Sequence, residues 1–256
     1  MRMLYALPFF VAMAAFASLR SPRPLTWHDW RELVMLGFFG YYLASYADFL
    51  GLQYISAALE RVIVYTYPAI VVLLVSASRR HWPGRQMLLA LAVSYVGVAL
   101  AVWHDAHGPA RNLPLGAALV FVSAVSFAVY LWRCGTAITR LGATRVTALA
   151  TGVACLMTVG QFVVLRPLAS LPGQPWQVQT SALAMAVFST VLPIWLNSQA
   201  IRMLGASRTA IISSLGPVFT LLLAWGALAE PVTASVLAGA LLVVLGVRWI
   251  ARLPAQ

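Results

Sequence analysis

The chain has 256 residues, of which 62% are hydrophobic and only 9% are charged. Soluble domains carry about 25% charged residues because much of their surface faces water, so this composition excludes an ordinary soluble protein. All 17 basic residues are arginines, and the net charge is +11. The arginines separate apolar runs and do not cluster, which argues against a nucleic-acid partner.

Apolar runs recur along the whole chain, and most have the ~20 residues that a helix needs to span a bilayer. None alternates with a period of two, as the strands of a membrane β-barrel do, so we predict an all-α membrane protein with nine transmembrane helices. The short connections leave no room for a separate soluble domain. In chain order the predicted spans are 3–19, 33–55, 58–78, 86–103, 113–133, 146–165, 181–202, 208–229 and 232–250.

The arginines are distributed unequally between the two sides of this predicted topology. One side holds Arg20, Arg23, Arg31, Arg79, Arg80, Arg85, Arg133, Arg140, Arg145, Arg202, Arg208, Arg248 and Arg252, and the other holds Arg2, Arg61, Arg111 and Arg166. Loops rich in arginine stay in the cytoplasm, so we expect a multi-pass protein of the inner (plasma) membrane with a cytoplasmic C-terminus. A cleaved signal peptide over residues 1–17 is the competing interpretation, and it would put the arginine-rich loops on the wrong side.

The sequence also contains a weak internal repeat. A shift of 149 positions superposes 33–103 on 182–252 without a gap, and it aligns Pro68 with Pro217. Each of the two prolines is followed by an apolar stretch that contains a Leu-Leu pair. Few residues are identical, so the repeat depends on hydropathy and on these matched positions.

The same shift aligns span 3–19 with span 146–165 and leaves span 113–133 without a partner. We therefore expect a five-plus-five repeat from which the first helix is absent, with a first repeat over 1–103 and a second over 113–252. An odd number of helices per repeat inverts the second repeat relative to the first, which is the plan of many transporters.

Two stretches carry a resemblance to a known family: "LQYISAALERVIVYTYPAIVVLL" at 52–74 and "AIRMLGASRTAIISSLGPVFTLLLAWGALAEPVTASVLAGALLVVLGV" at 200–247. They resemble the two halves of an EamA-type drug/metabolite transporter. In that family an acidic residue follows the helix with the mid-span proline. The second half has Glu230 at this position, whereas the first half has His81. The resemblance implies helices around a central cavity and export of a small metabolite or drug-like compound by alternating access. The alternatives are a membrane-embedded enzyme acting on a lipid-like substrate and a truncated remnant without transport activity.

Several polar and aromatic residues within the spans are candidates for lining a substrate cavity. Asp48 aligns with Asn197 in the repeat, and the mid-span prolines free backbone carbonyls that a neighbour or a wet cavity must satisfy. Simple helix kinks and interhelical hydrogen bonds are the structural alternatives. The candidates of this kind are Asp48, Tyr65, Tyr67, Pro68, Trp195, Asn197, Gln199, Ser213 and Pro217.

Glu60 and Arg61 join Asp48 as charges within an apolar stretch. Lipid exposure of each would cost about 2.5–3.5 kcal/mol, so we expect all three to face the bundle interior as one group. Arg61 can neutralise one carboxylate, which leaves the other as a site for a coupling proton or cation. A purely structural ion-pair network is the alternative.

We predict no catalytic residue, no metal site and no cofactor. All four histidines lie in predicted loops, and "HDAH" at 104–107 is interpreted as an exposed outer loop. A membrane-embedded enzyme should have a concentrated set of catalytic polar residues, whereas those of this chain are sparse and distributed over both repeats, so we expect a transporter and not an enzyme. Its expected partners are a small-molecule substrate, the lipid bilayer and a coupling proton, and a homodimer is compatible with the sequence.

Overall fold

A computed structural model describes residues 1–20, 24–55, 57–80, 82–102, 112–165 and 175–216, together with positions 219, 238, 241, 242, 244, 245 and 249. The regular elements in these ranges are all helical, which confirms the all-α prediction. The α-helices are α1 (Arg2–Arg20), α2 (Trp27–Gly37), α3 (Ala44–Gly51), α4 (Ala57–Val64), α5 (Tyr67–Arg79), α6 (Arg85–Val102), α7 (Leu113–Leu141), α8 (Ala143–Leu165), α9 (Trp176–Ala186), α10 (Leu192–Leu204) and α11 (Ala206–Ile212).

Five stretches of the described chain are long and apolar enough to cross a membrane, which supports a multi-pass membrane protein. They are Arg2–Leu19, Trp27–Gly51, Leu113–Leu141, Ala143–Leu165 and Trp176–Leu204. Each overlaps a predicted span. The last two predicted spans lie mostly outside the described residues, so the count of nine helices stays a prediction.

The second of these stretches begins earlier than its hydropathy indicates, because a capping box starts α2. The Thr26 hydroxyl accepts a hydrogen bond from the Asp29 amide at 3.2 Å, and the Thr26 amide donates to the Asp29 carboxylate at 2.9 Å. These reciprocal bonds satisfy donors that a helix N-terminus otherwise leaves unpaired. The helix therefore starts at Trp27, six residues before the predicted start of the span at 33.

The chain forms two compact units, each built from segments that are distant in sequence. The first unit comprises Met1–Leu43 and Arg133–Gly205, and the second comprises Ala44–Trp132 and Ala206–Gln256. In the first unit α8 packs against α1, α2 and α10. Its close crossing with α2 depends on Gly37, where an added Cβ would lie 2.4 Å from the Ala150 carbonyl oxygen. Small residues permit such close helix contacts within membranes.

In the second unit α5 packs against α11, and α6 packs against α4. A buried apolar cluster joins α5, α6 and α11 through Val72, Met87, Ala90, Leu91 and Ile211. This packing fixes the start of α5 beside α11, which is where the candidate site described below is found.

Two elements recur at the offset of the sequence repeat. The helix Trp27–Gly37 is followed by a π-helical segment, Phe38–Leu43, and 149 residues later Trp176–Ala186 is followed by a second one, Val187–Val191. The Thr190 hydroxyl donates to the Met185 carbonyl, five residues back, at 3.2 Å. Such π-turns are rare and occur often at functional sites.

Candidate functional site

The predicted span 58–78 is not one helix, because α4 ends and α5 begins on either side of a turn at Tyr65 and Thr66. The Thr66 hydroxyl donates to the Ile63 carbonyl at 2.7 Å. Pro68 consequently lies in the first turn of α5. The sequence analysis had placed it in the interior of a continuous helix, which is wrong. A first-turn amide has no intrahelical acceptor, so a proline is well tolerated there.

A second break lies at the matching place in the other half of the sequence. Helix α11 ends at Ile212 and continues as a single 3₁₀ turn, Ser213–Leu215. Positions 214 and 215 are the counterparts of Tyr65 and Thr66 at the 149-residue offset. Pro217, the predicted counterpart of Pro68, lies outside the described residues. Regular α-geometry therefore ends just before the matched proline position in both halves.

Tyr67 connects the two breaks within the second unit. Its side chain is only 5% exposed, and its hydroxyl donates to the Ala210 carbonyl at 3.4 Å. The Ser213 side chain lies near the same hydroxyl and donates its own hydrogen bond to the Thr209 carbonyl at 2.8 Å. The structure therefore brings together two of the predicted site residues, Tyr67 and Ser213, around one polar contact.

Aromatic rings extend from this contact along α5 and α7. The Tyr65 and Tyr67 ring centroids are 6.2 Å apart, and Phe127 meets the Tyr67 ring edge to face at 5.1 Å. Tyr130 stacks on Phe127 at 5.7 Å. The sequence analysis missed Phe127 and Tyr130, although their spacing of three residues places them on one helix face. The result is an aromatic wall beside the broken start of α5.

Two further contacts fix the backbone at the breaks. The Ala69 amide, in the first turn of α5, donates to the Tyr95 hydroxyl at 3.2 Å. A Cβ added at Gly216 would lie 2.7 Å from the Tyr65 hydroxyl oxygen, so a larger residue there would require the Tyr65 side chain to shift. Side-chain hydroxyls and tight backbone packing therefore replace the regular helix at this level of the bundle.

Asp48 and Glu60 also meet in the second unit, where their carboxyl groups lie within reach of each other. A carboxylate can only accept, so a hydrogen bond between two carboxyl groups requires a proton on one of them. Oδ1 of Asp48 is buried, and it has no hydrogen-bond partner among the described residues. The predicted third member of this group, Arg61, has a side chain outside the described part of the structure.

The remaining candidates lie in the first unit. The indole nitrogen of Trp195 and the amide nitrogen of Gln199 donate to the Thr144 hydroxyl at 3.4 and 3.3 Å. Asn197 is half-buried on the same helix, α10. The predicted site residues thus form two groups, one in each unit.

An ion-pair cluster in the first unit was not recognised from the sequence. Asp29 and Glu32 on α2 are buried, with 1% and 7% of their surface exposed. Arg140 on α7 binds Glu32 and also lies 3.0 Å from Asp29, while Arg133 lies 3.9 Å from Glu32. The available signal was the spacing, because residues three apart on α2 and seven apart on α7 each share a helix face.

In the described parts of the chain no group of three or more His, Cys, Asp or Glu side chains is arranged to hold a metal ion. Cys134 and Cys155 are not joined in a disulfide, and both are buried. The 104–107 segment, interpreted from the sequence as an outer loop, lies outside the described residues. The chemistry that the described residues offer is hydrogen bonding, aromatic contact and carboxyl protonation.

Comparison with known proteins places the chain in a family. The model of the EamA-like transporter family matches residues 1–103 and 114–252. An uncharacterised transporter of Bacillus subtilis, YcbK, is 29% identical over 190 residues, which cover 72% of this chain and 60% of YcbK. A second, YyaM, is 27% identical over 223 residues, which cover 84% of this chain and 70% of YyaM.

A third relative, the uncharacterised transporter sll1319 of Synechocystis, is 23% identical over 211 residues, which cover 82% of this chain and 62% of the relative. The chain thus spans about 60–70% of the length of these relatives. One solved crystal structure superposes with a TM-score of 0.77 over 97% of this chain and 86% of the other, at 17% identity, and so shares the fold. Because the family model matches nearly the whole sequence, the chain belongs to the EamA-like transporter family.

Proposed function

We propose that this protein exports a small metabolite or drug-like compound across the inner (plasma) membrane by alternating access between two inverted repeats. The observation that carries the proposal is the pair of helix breaks at matched positions of the two halves, connected through Tyr67. Transporters commonly bind substrate at discontinuous helices that meet near the middle of the membrane.

The physical basis is the satisfaction of backbone polar groups. A broken helix in the bilayer is tolerated only where protein or a wet cavity meets the freed amides and carbonyls. Here tyrosine hydroxyls bond to the Ala210 carbonyl and the Ala69 amide beside the breaks, and the neighbouring aromatic rings supply an apolar wall. A mostly apolar site with a few convergent polar groups is what a small, partly aromatic substrate requires. We assign substrate contact to Tyr65, Tyr67 and Ser213, and we assign no catalytic residue.

The order of contacts supports opposite directions for the two broken helices. Tyr65 approaches Gly216, and Tyr67 bonds to Ala210. The residue numbers therefore increase along the first segment while those of their contacts decrease along the second, as in two antiparallel segments. The π-segments at the 149-residue offset add to the case for repeats over 1–103 and 113–252. The arginine asymmetry supports a cytoplasmic C-terminus. A homodimer is compatible with the scheme but is not required by it.

We assign proton coupling to the Asp48–Glu60 pair, because two adjoining carboxyl groups can bond to each other only by sharing a proton. Substitution of Glu60 by Gln should leave a hydrogen-bonding group in place but remove the titrating site. Transport by the Glu60→Gln variant should then no longer respond to an imposed proton gradient. An unchanged response would contradict the assignment. The candidates Arg61, Trp195, Asn197, Gln199 and Pro217 stay sequence predictions.

The test of the function is export of a chemically diverse panel of labelled metabolites and drugs from cells with and without the protein. At least one compound should accumulate less when the protein is present.

Tyr67→Phe removes one hydroxyl contact worth about 1 kcal/mol, so export should slow roughly fivefold. Tyr5→Phe, a matched change in the first unit, should export at the wild-type rate. Equal export by the wild-type protein and Tyr67→Phe would refute the site, and equal accumulation with and without the protein would refute transport.

A further inference from the structure

A groove of about 390 Å³ lies at the C-terminal end of α5, outside the helix-break site. Its lining residues are Leu73, Ser76, Ala77, Arg80, Trp82 and Pro83. The volume falls within the roughly 300–1,000 Å³ of ligand-binding pockets, so the groove can hold more than a water molecule. Leu73 is 51% exposed and Trp82 is 90% exposed, which makes the groove accessible from outside the protein.

Arg80 adopts an unusual backbone conformation at this groove. It caps α5 with a φ of 55°, and it is the only non-glycine residue with a positive φ in the described parts of the chain. Glycine is the usual residue at this position because a Cβ is sterically disfavoured there. Strained backbone positions of this kind occur often at binding sites. The chain thus has a guanidinium group where glycine would be the less strained choice.

The charge of Arg80 is not balanced within the described protein. The four described acidic side chains are engaged elsewhere: Asp29 and Glu32 with Arg140, and Asp48 with Glu60. No ion pair involving Arg80 is found among the described residues. The predicted topology places it on the arginine-rich side, next to an exposed tryptophan of the type enriched at the membrane interface. An external anion at the bilayer surface is therefore the matching partner.

A second groove in the first unit has the same chemical character. It measures about 450 Å³ and presents Trp27, Trp30 and Arg31 beside the apolar residues Val34 and Phe38. Arg31 also lies on the arginine-rich side of the predicted topology and has no ion pair among the residues that the structure describes. Each unit therefore combines an arginine, exposed tryptophan and an adjoining apolar wall.

We propose that these two grooves bind anionic phospholipids of the cytoplasmic leaflet. The guanidinium groups of Arg80 and Arg31 bind the lipid phosphate, with the two-pronged geometry that suits arginine to phosphate. The tryptophans lie at the level of the glycerol backbone, and the apolar wall contacts the start of an acyl chain. Anionic lipid gives that leaflet a negative surface potential, which complements the unpaired arginines.

The test is native mass spectrometry of the purified full chain with phosphatidylglycerol and phosphatidylcholine in competition. The wild-type protein should retain phosphatidylglycerol preferentially. Arg80→Gln and Arg31→Gln should each weaken its binding about fivefold, the factor expected for one basic side chain near an anionic membrane. Arg85→Gln and Arg202→Gln remove exposed arginines that line neither groove, and they should change retention less than twofold.

Ala77→Phe provides a second variant that fills the first groove without a change in charge, and it should also lower retention. Thermal unfolding without lipid identifies any variant that fails to fold. If Arg80→Gln fails to fold, lipid retention by Ala77→Phe tests the first groove instead. Equal retention of the two lipids by the wild-type protein would overturn the proposal. Equal losses in the groove and control variants would also overturn it. Displacement of the lipid by inorganic phosphate at an equal concentration would show a phosphate site and not a lipid site.

Discussion

Replacing Arg140 with Ala should destabilise the first unit, because it removes the main cation from two buried carboxylates. Asp29 and Glu32 have 1% and 7% of their surface exposed, and both lie against the Arg140 guanidinium. In the variant Arg133, 3.9 Å from Glu32, still lies near one of the two acids. The destabilisation therefore comes from uncompensated buried charge and not from lost packing alone.

The magnitude lies between two limits. Removal of one partner from a fully buried ion pair costs about 3–5 kcal/mol, whereas an exposed pair contributes about 0.2–1 kcal/mol. The acids are buried, but the Arg140 side chain is 37% exposed, so water can solvate part of the vacated site. We therefore expect the free energy of unfolding to fall by about 2 kcal/mol, as an order of magnitude.

The assay is equilibrium unfolding in detergent of Arg140→Ala, Glu32→Gln and the double variant. Glu32→Gln removes one of the two charges, so the double variant should be less destabilised than the sum of the single changes, by about 1 kcal/mol or more. Arg85→Ala removes an exposed arginine with no ion pair among the described residues, and it should change stability by less than about 0.5 kcal/mol. Additive effects, or an Arg140→Ala variant as stable as Arg85→Ala, would refute the reasoning.

Three further predictions concern packing, charge and topology. Gly37→Ala should lower the free energy of unfolding by about 1–3 kcal/mol, because the new Cβ would lie 2.4 Å from the Ala150 carbonyl oxygen. Gly152→Ala, whose Cβ would have no atom within 4 Å, should be neutral or stabilising. Equal shifts in the thermal unfolding of the two variants would contradict this. Arg61→Ala should unfold more easily than the double variant with Glu60→Ala, because only the single change leaves both acids of the pair without the arginine, and simple additivity would count against a joint group. A reporter active only in the cytoplasm should work when fused after Gln256, and an expressed but inactive fusion would contradict the topology.

Hydropathy was sufficient to locate the long helices, because their apolar runs match the helix length closely. The predicted span 146–165 lies within Ala143–Leu165, and 3–19 lies within Arg2–Arg20. It failed where polar residues extend a helix. Helix α7 continues to Leu141, past the predicted end at 133, and the Thr136 and Thr139 hydroxyls donate back to carbonyls three residues earlier. These bonds satisfy the threonine hydroxyls within the helix, so the polar residues carry no hydropathy signal of the helix and yet lie in it.

The candidate site was only partly predictable for a similar reason. A mid-span proline indicates a disturbed helix, and Ser213 was identified from it, whereas Tyr67 was a candidate as one of the aromatic residues around the Asp48 and Asn197 positions. The sequence could not show that a turn at Tyr65 and Thr66 separates α4 from α5, because both segments are apolar. The bond from Tyr67 to Ala210 joins residues far apart in sequence, and such a pairing depends on tertiary packing.

The most direct test of alternating access at the paired helix breaks is thiol accessibility at Ser213, whose side chain is exposed in the structure. The buried Cys134 and Cys155 are first replaced by Ala, and Ser213→Cys is then introduced. A membrane-impermeant thiol reagent is applied to right-side-out and to inverted vesicles. The account predicts labelling from both sides of the membrane, with reduced labelling in the presence of a transported compound. Labelling from one side only, or from neither, would contradict it.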